Sequence, residues 1–83
     1  MGTLSEKIRD IIAVELQVDR EKVVPMALLR ADLGMDSIAA LNILFAVEET
    51  FGFPSIDVKE LANINTVEEV ESFLRTRIVA QAS

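Results

Sequence analysis

Ser37 is the residue whose setting could do chemistry. It follows Gly34-Met35-Asp36 and opens a long apolar segment, so its hydroxyl falls where a helix would begin. Gly34 permits a backbone turn that a side chain would hinder, and Asp36 can cap the helix by accepting a backbone N–H. A group attached to Ser37 would emerge at a helix N-terminus, where unpaired N–H groups and the positive end of the helix dipole favour the charge of a phosphodiester. Asp-Ser is also ordinary helix-start chemistry, since both residues are favoured for capping, and on these residues alone plain capping is the better account.

Little else in the chain could react. It has 83 residues with no His, Cys, Trp or Tyr, which removes histidine acid/base chemistry, thiol nucleophiles, disulfides and zinc sites built on Cys or His. An autonomous enzyme using Ser37 as nucleophile would lack a histidine base, and no lysine close to the motif replaces it. Asp32 and Asp36 supply too few oxygens for calcium, which takes six or more, and no metal site is expected. Eight basic against fourteen acidic side chains give a net charge of −6. That balance repels nucleic acid and suits partners with basic surfaces. No apolar run reaches the roughly 18–20 residues needed to span a bilayer, and no signal-peptide pattern is present. The expected location is the cytoplasm, without membrane insertion. Met1-Gly2 suggests myristoylation, but the sixth position, which should be Ser or Thr, is Glu6.

The elements that must hold Ser37 follow from periodicity. Leu4, Ile8, Ile11, Ile12 and Leu16 recur at helical spacing, and Thr3 with Glu6 forms a capping box, so a first helix is expected from Leu4. From Gln17 to Asp36 there is no sustained period; Val18, Val23, Val24, Met26, Leu28, Leu29 and Leu33 suggest a long loop packed on the core. A second helix is expected over Ser37–Phe51, closed by Gly52 with Pro54 beyond, and a short third from Asp57 to Ala62. The last helix starts after a second box, Thr66 with Glu69, with Val67, Val70, Phe73, Leu74 and Ile78 inward. Its end, Ala80 to Ser83, should fray. Glu68, Glu69 and Glu71 should form a solvated face, with Glu71 pairing to Arg75 at i,i+4. Met26 and Met35 read as loop packing. The expected fold is all-α: one domain over residues 1–83, a small four-helix bundle of three main helices and a short one, with a long loop between the first two.

The second helix is apolar on nearly every side. Ala40, Ile43, Leu44, Val47 and Phe51 share one face; Ile38, Leu41, Asn42, Phe45, Glu48 and Glu49 share the opposite one. A domain this small buries one face of each helix, so either the second stripe is an exposed contact surface rimmed by carboxylates or the long loop folds across Ile38 and Leu41 and hides them.

Leu33-Gly34-Met35-Asp36-Ser37, a helix ending in Glu48-Glu49-Thr50-Phe51-Gly52, and this helix order in an acidic chain together resemble the acyl carrier protein family over essentially the whole chain. The most specific part is Asp36-Ser37-Ile38, which matches the family's Asp-Ser-Leu signature apart from Ile38. The resemblance implies that a phosphopantetheinyl transferase attaches 4′-phosphopantetheine covalently to Ser37, with Gly34, Asp36 and Ile38 flanking the site. The chain would be a monomeric carrier without catalysis of its own, delivering thioester-linked acyl groups to acyl-transfer, ketosynthase or synthetase enzymes of fatty-acid, related lipid or polyketide biosynthesis. Such partners would dock through basic and apolar patches. It further implies a space for the acyl chain between helices, with Ile43, Val47, Phe51, Val67, Phe73 and Leu74 as candidate lining. A specialised carrier for polyketide or aminoacyl and peptidyl synthesis, or an unmodified helical interaction module, are the alternatives.

One departure bears on partners. The family carries acids along the exposed first half of this helix, whereas Ala39 and Asn42 stand here, leaving Asp32, Asp36, Glu48 and Glu49 as the nearby charges. Ile38, Leu41 and Phe45 are therefore expected to replace part of the acidic recognition surface, which suits a dedicated partner.

Overall fold

A threonine side chain starts the first helix, α1 (Leu4–Leu16): Thr3 Oγ1 accepts from the Glu6 N–H at 3.1 Å, forming one half of the expected box. The helix ends on Gln17, which adopts left-handed backbone (φ 56°), while the Val18 N–H reaches back to the Ala13 carbonyl at 3.1 Å. The computed structural model describes residues 3–52 and 58–82, with side chains throughout except at 58, 62 and 78–82. Met1-Gly2, Pro54, Asp57, Ser83 and the inward Ile78 side chain therefore lie outside the described residues.

Three further helices follow: α2 (Ser37–Phe51), α3 (Val58–Ala62) and α4 (Val67–Ala82). α1 packs against both α2 and α4, and α3 packs against α2. Ile8 and Ile12 of α1, Ala40, Ile43, Leu44 and Val47 of α2, Leu61 of α3, and Val67, Val70 and Leu74 of α4 join one continuous buried cluster. Each fully buried Ile, Leu or Val contributes about 1.5–3 kcal/mol of transfer free energy.

The segment between α1 and α2 is the expected long loop packed on the core, with local structure of its own. It contains a short 3-10 helix, Arg20–Lys22, and an isolated bridge between Leu28 and Thr66. Its backbone also caps α4: the Val67 and Glu68 N–H groups, orphaned at the helix start, donate to the carbonyls of Ala27 (3.1 Å) and Pro25 (2.9 Å). Such bonds depend on residues some 40 positions apart, so no local pattern announces them. Val23, Leu29, Leu33 and Met35 enter the core, while Val24, Met26 and Leu28 stay exposed. Of the two methionines read as loop packing, only Met35 packs.

α4 departs from its expected charge pattern. Thr66 and Glu69 form both halves of the box, Glu69 Oε1 accepting from the Asn65 and Thr66 N–H groups at 3.0 Å each and Thr66 Oγ1 from Glu69 N at 3.2 Å. Those two backbone donors, Asn65 first, hold the Glu69 carboxyl below the usual glutamate range. Glu71, however, is buried rather than solvated. It accepts from Arg9 Nε of α1 at 2.7 Å, and Arg75 turns instead to Ser5 Oγ at 2.9 Å. The reason is packing: Glu71 follows Val70 and precedes Leu74, so it lies toward α1, where Arg9 meets it.

Candidate functional site

Residues 29–36 position Ser37. The Met35 N–H donates to the Leu29 carbonyl at 2.8 Å and Gly34 N to Arg30 O at 3.1 Å, reversing the chain just ahead of the helix. Gly34 takes φ +73°, the left-handed region that its lack of Cβ makes inexpensive. Asp32 secures the same turn, its Oδ2 accepting from the Leu28 N–H at 2.8 Å. Asp36 is the N-cap of α2: Oδ1 accepts from Ala39 N at 2.8 Å, and its carbonyl accepts from Ala40 N at 2.9 Å. Ser37 is thus the first helical residue, exposed, on a turn fixed from both sides. At the far end Gly52, with φ +75°, closes α2 through its N–H to the Glu48 carbonyl at 2.8 Å.

A cleft of about 200 Å³ opens beside Ser37, lined by Arg30, Met35, Asp36, Ser37, Ala40, Leu41 and Lys59. Arg30 and Lys59 were absent from the sequence-based candidates. Arg30 arrives because the chain doubles back at Gly34, a turn the glycine signals without saying which side chain it brings near, and Lys59 because α3 packs on α2, which has no local signature. Lys59 lines the cleft, but a lysine acting as base needs desolvation and Lys59 is exposed.

The two faces of α2 separate as the wheel requires. Ala40, Ile43, Leu44 and Val47 are buried, whereas Ile38 is 71% exposed, Leu41 38% and Phe45 59%. The preceding loop turns toward the start of α4 and leaves this stripe uncovered. Around it Asp32, Asn42 and Glu49 are exposed and Glu48 half-buried, and the first turn of α2 holds no acid. Among the residues expected to face an acyl chain, Ile43, Val47, Val67 and Leu74 are core, and Phe51 and Phe73 are half-buried against it. None of the six lines the cleft at Ser37.

Among the described residues no helix is long and apolar enough to cross a membrane, and no group of three or more acids forms a cation cage. Comparison with known proteins agrees with the geometry. Residues 6–74 match the family described as "Phosphopantetheine attachment site". The chain is 39% identical over 75 residues to an acyl carrier protein of Thermosynechococcus vestitus, covering 90% of this chain and 91% of that one. It is 38% identical over 77 residues to one from Syntrophus aciditrophicus (93% and 95%) and 35% identical over 78 residues to one from Treponema denticola (93% and 97%). An exposed serine capped onto an all-helical scaffold, inside a match that spans most of the sequence, places this chain in the phosphopantetheine-attachment family of acyl carrier proteins.

Proposed function

We propose that Ser37 is the attachment point of 4′-phosphopantetheine and that residues 1–83 act as one carrier domain for thioester-linked acyl groups. The observation that carries this reading is exposed Ser37 on the first turn of α2, which Asp36 caps. The surroundings suit the group: beside the hydroxyl is a cleft whose charged lining, among the described residues, is two cations and one carboxylate. When bound, the group supplies a thiol on a flexible arm, and the thiol holds the cargo. The chain's own part is presentation. Gly34 and Asp36 fix the turn, Ser37 offers the oxygen, and bond-making groups belong to the transferase and to acyl-transfer, ketosynthase or synthetase partners.

Those partners dock, in this reading, on Ile38, Leu41 and Phe45, with Asp32, Asp36, Glu48 and Glu49 as a sparse acidic rim. Apolar anchors hold a complex once formed, while rim charges chiefly set its association rate, so this surface favours a dedicated partner over many basic ones. The chain works as a monomer in the cytoplasm. Ile43, Val47, Phe51, Val67, Phe73 and Leu74 would line a cargo space only if helices part, because their side chains already pack in or against the core.

The test is incubation with coenzyme A and a broad-specificity phosphopantetheinyl transferase, followed by intact-mass measurement. A single phosphopantetheine increment is expected on the wild type and none on Ser37→Ala. No increment, or one that survives the substitution, rejects the assignment.

A further inference from the structure

We infer that the cleft beside Ser37 seats the root of the phosphopantetheine arm, with Arg30 and Lys59 holding its phosphodiester and Met35, Ala40 and Leu41 receiving the dimethyl carbon that follows. The inference rests on Ser37 being the attachment point. Its first support is charge. The chain is acidic overall, net −6, yet among the described residues this cleft is lined by two cations and the carboxylate of Asp36, one of whose oxygens already accepts from the Ala39 N–H. The other acids of α2, Glu48 and Glu49, begin eleven residues further on, about 16 Å along the helix axis and beyond a screening length of about 8 Å at physiological salt. The described charged groups that line the cleft thus sum to the opposite sign from the molecule as a whole. A guanidinium carries five N–H donors and an ammonium three, so each can keep an internal partner and still reach a phosphate oxygen.

The second support is the order of groups along the arm. Outward from the serine oxygen come the phosphorus, its second ester oxygen, a methylene and then a carbon bearing two methyl groups, so a charge is followed closely by an apolar bulge. The cleft has the same order. Ala40 and Leu41 are three and four residues beyond Ser37, hence on its own face of the helix, and Met35 closes the wall from the turn. At about 200 Å³ it is smaller than the roughly 300–1,000 Å³ of pockets that enclose a whole drug-sized ligand. It takes the root of the arm and leaves the thiol end outside for partners.

The experiment uses holo protein bearing an isotope-labelled pantetheine arm, with complete loading first established by intact mass. Nuclear Overhauser cross-peaks are expected between the dimethyl protons and the methyl groups of Met35, Ala40 and Leu41. Their intensity should fall about two- to fivefold in Arg30→Gln and in Lys59→Gln, the range for single exposed ion pairs. It should fall again at about 1 M salt, where the screening length is about 3 Å. Arg20→Gln, which removes an ion pair to Asp10 on another part of the surface, should leave the cross-peaks intact. Fully loaded wild-type protein without such cross-peaks would overturn the seat, as would cross-peaks that persist unchanged when both Arg30 and Lys59 are glutamine. If a variant loads poorly, the wild-type spectrum alone still decides. Failure of the mass increment is a separate result that removes the attachment itself, and the seat with it.

Discussion

Replacing Arg9 by methionine would strand the Glu71 carboxylate. The pair joins α1 to α4 at 2.7 Å, with Glu71 only 7% exposed at its side chain and Arg9 27%. Breaking a fully buried pair by removing one partner costs about 3–5 kcal/mol, whereas an exposed pair is worth about 0–1. Water can enter where the partly exposed Arg9 stood, so the expected loss lies between these limits, about 2 kcal/mol. For a domain of this size that is a fall in melting temperature of about 8–16 °C. Glu71→Leu should cost less, about 1 kcal/mol, because the long Arg9 side chain can carry its charge to water while keeping its stem packed. The double variant should return to within about 1 kcal/mol of wild type, since an apolar pair of similar volume replaces an ion pair with little net loss. Thermal and urea unfolding of the four proteins, followed by circular dichroism at 222 nm, closes the double-mutant cycle. A melting point for Arg9→Met within a few degrees of wild type, or strictly additive single effects, would refute this account of the α1–α4 contact. Loading of Ser37 measured well below the melting point should be unchanged, because neither residue lines its cleft.

Three other outcomes follow from particular residues. Phe45→Ala should weaken binding of the transferase about 5- to 30-fold, from the roughly 1–2 kcal/mol that its exposed ring can still bury, with little dependence on salt; calorimetry showing steep salt dependence and an unaltered Phe45→Ala affinity would contradict an apolar docking surface. A Cβ at Gly34 would meet nothing within 4 Å, so Gly34→Ala should cost about 1–2 kcal/mol from its φ of +73° alone, and a neutral urea midpoint would mean the turn is not strained. Glu69, whose carboxyl is held low by the Asn65 and Thr66 N–H groups, stabilises the fold above the ordinary glutamate value of about 4.3 and loses that contribution as pH falls through its lowered folded value. Urea midpoints of Glu69→Gln between neutral and acid pH should therefore decline less than those of wild type, and identical declines would remove Glu69 from the acid sensitivity.

What could be read from the chain was what local physics controls. Thr3, Asp36 and Thr66 announce helix starts because a side-chain oxygen answers N–H groups two or three residues on, and Gly52 announces an end because it alone accepts left-handed backbone cheaply. The inward stripes of α1 and α2 follow from a period of 3.6, and so does the placement of Ser37 at a helix mouth. Three things depended on elements meeting. Glu71 looks like one of a run of surface acids, and only the arrival of Arg9 from α1 makes it a buried partner. Ile38, Leu41 and Phe45 were compatible with cover or exposure until the preceding loop was found bonded to the start of α4. Arg30 and Lys59 reach Ser37 through a chain reversal and through packing of α3 on α2. Periodicity and capping act over about four residues, whereas these contacts join positions from 7 to 62 apart, and only the packed chain decides which of them form.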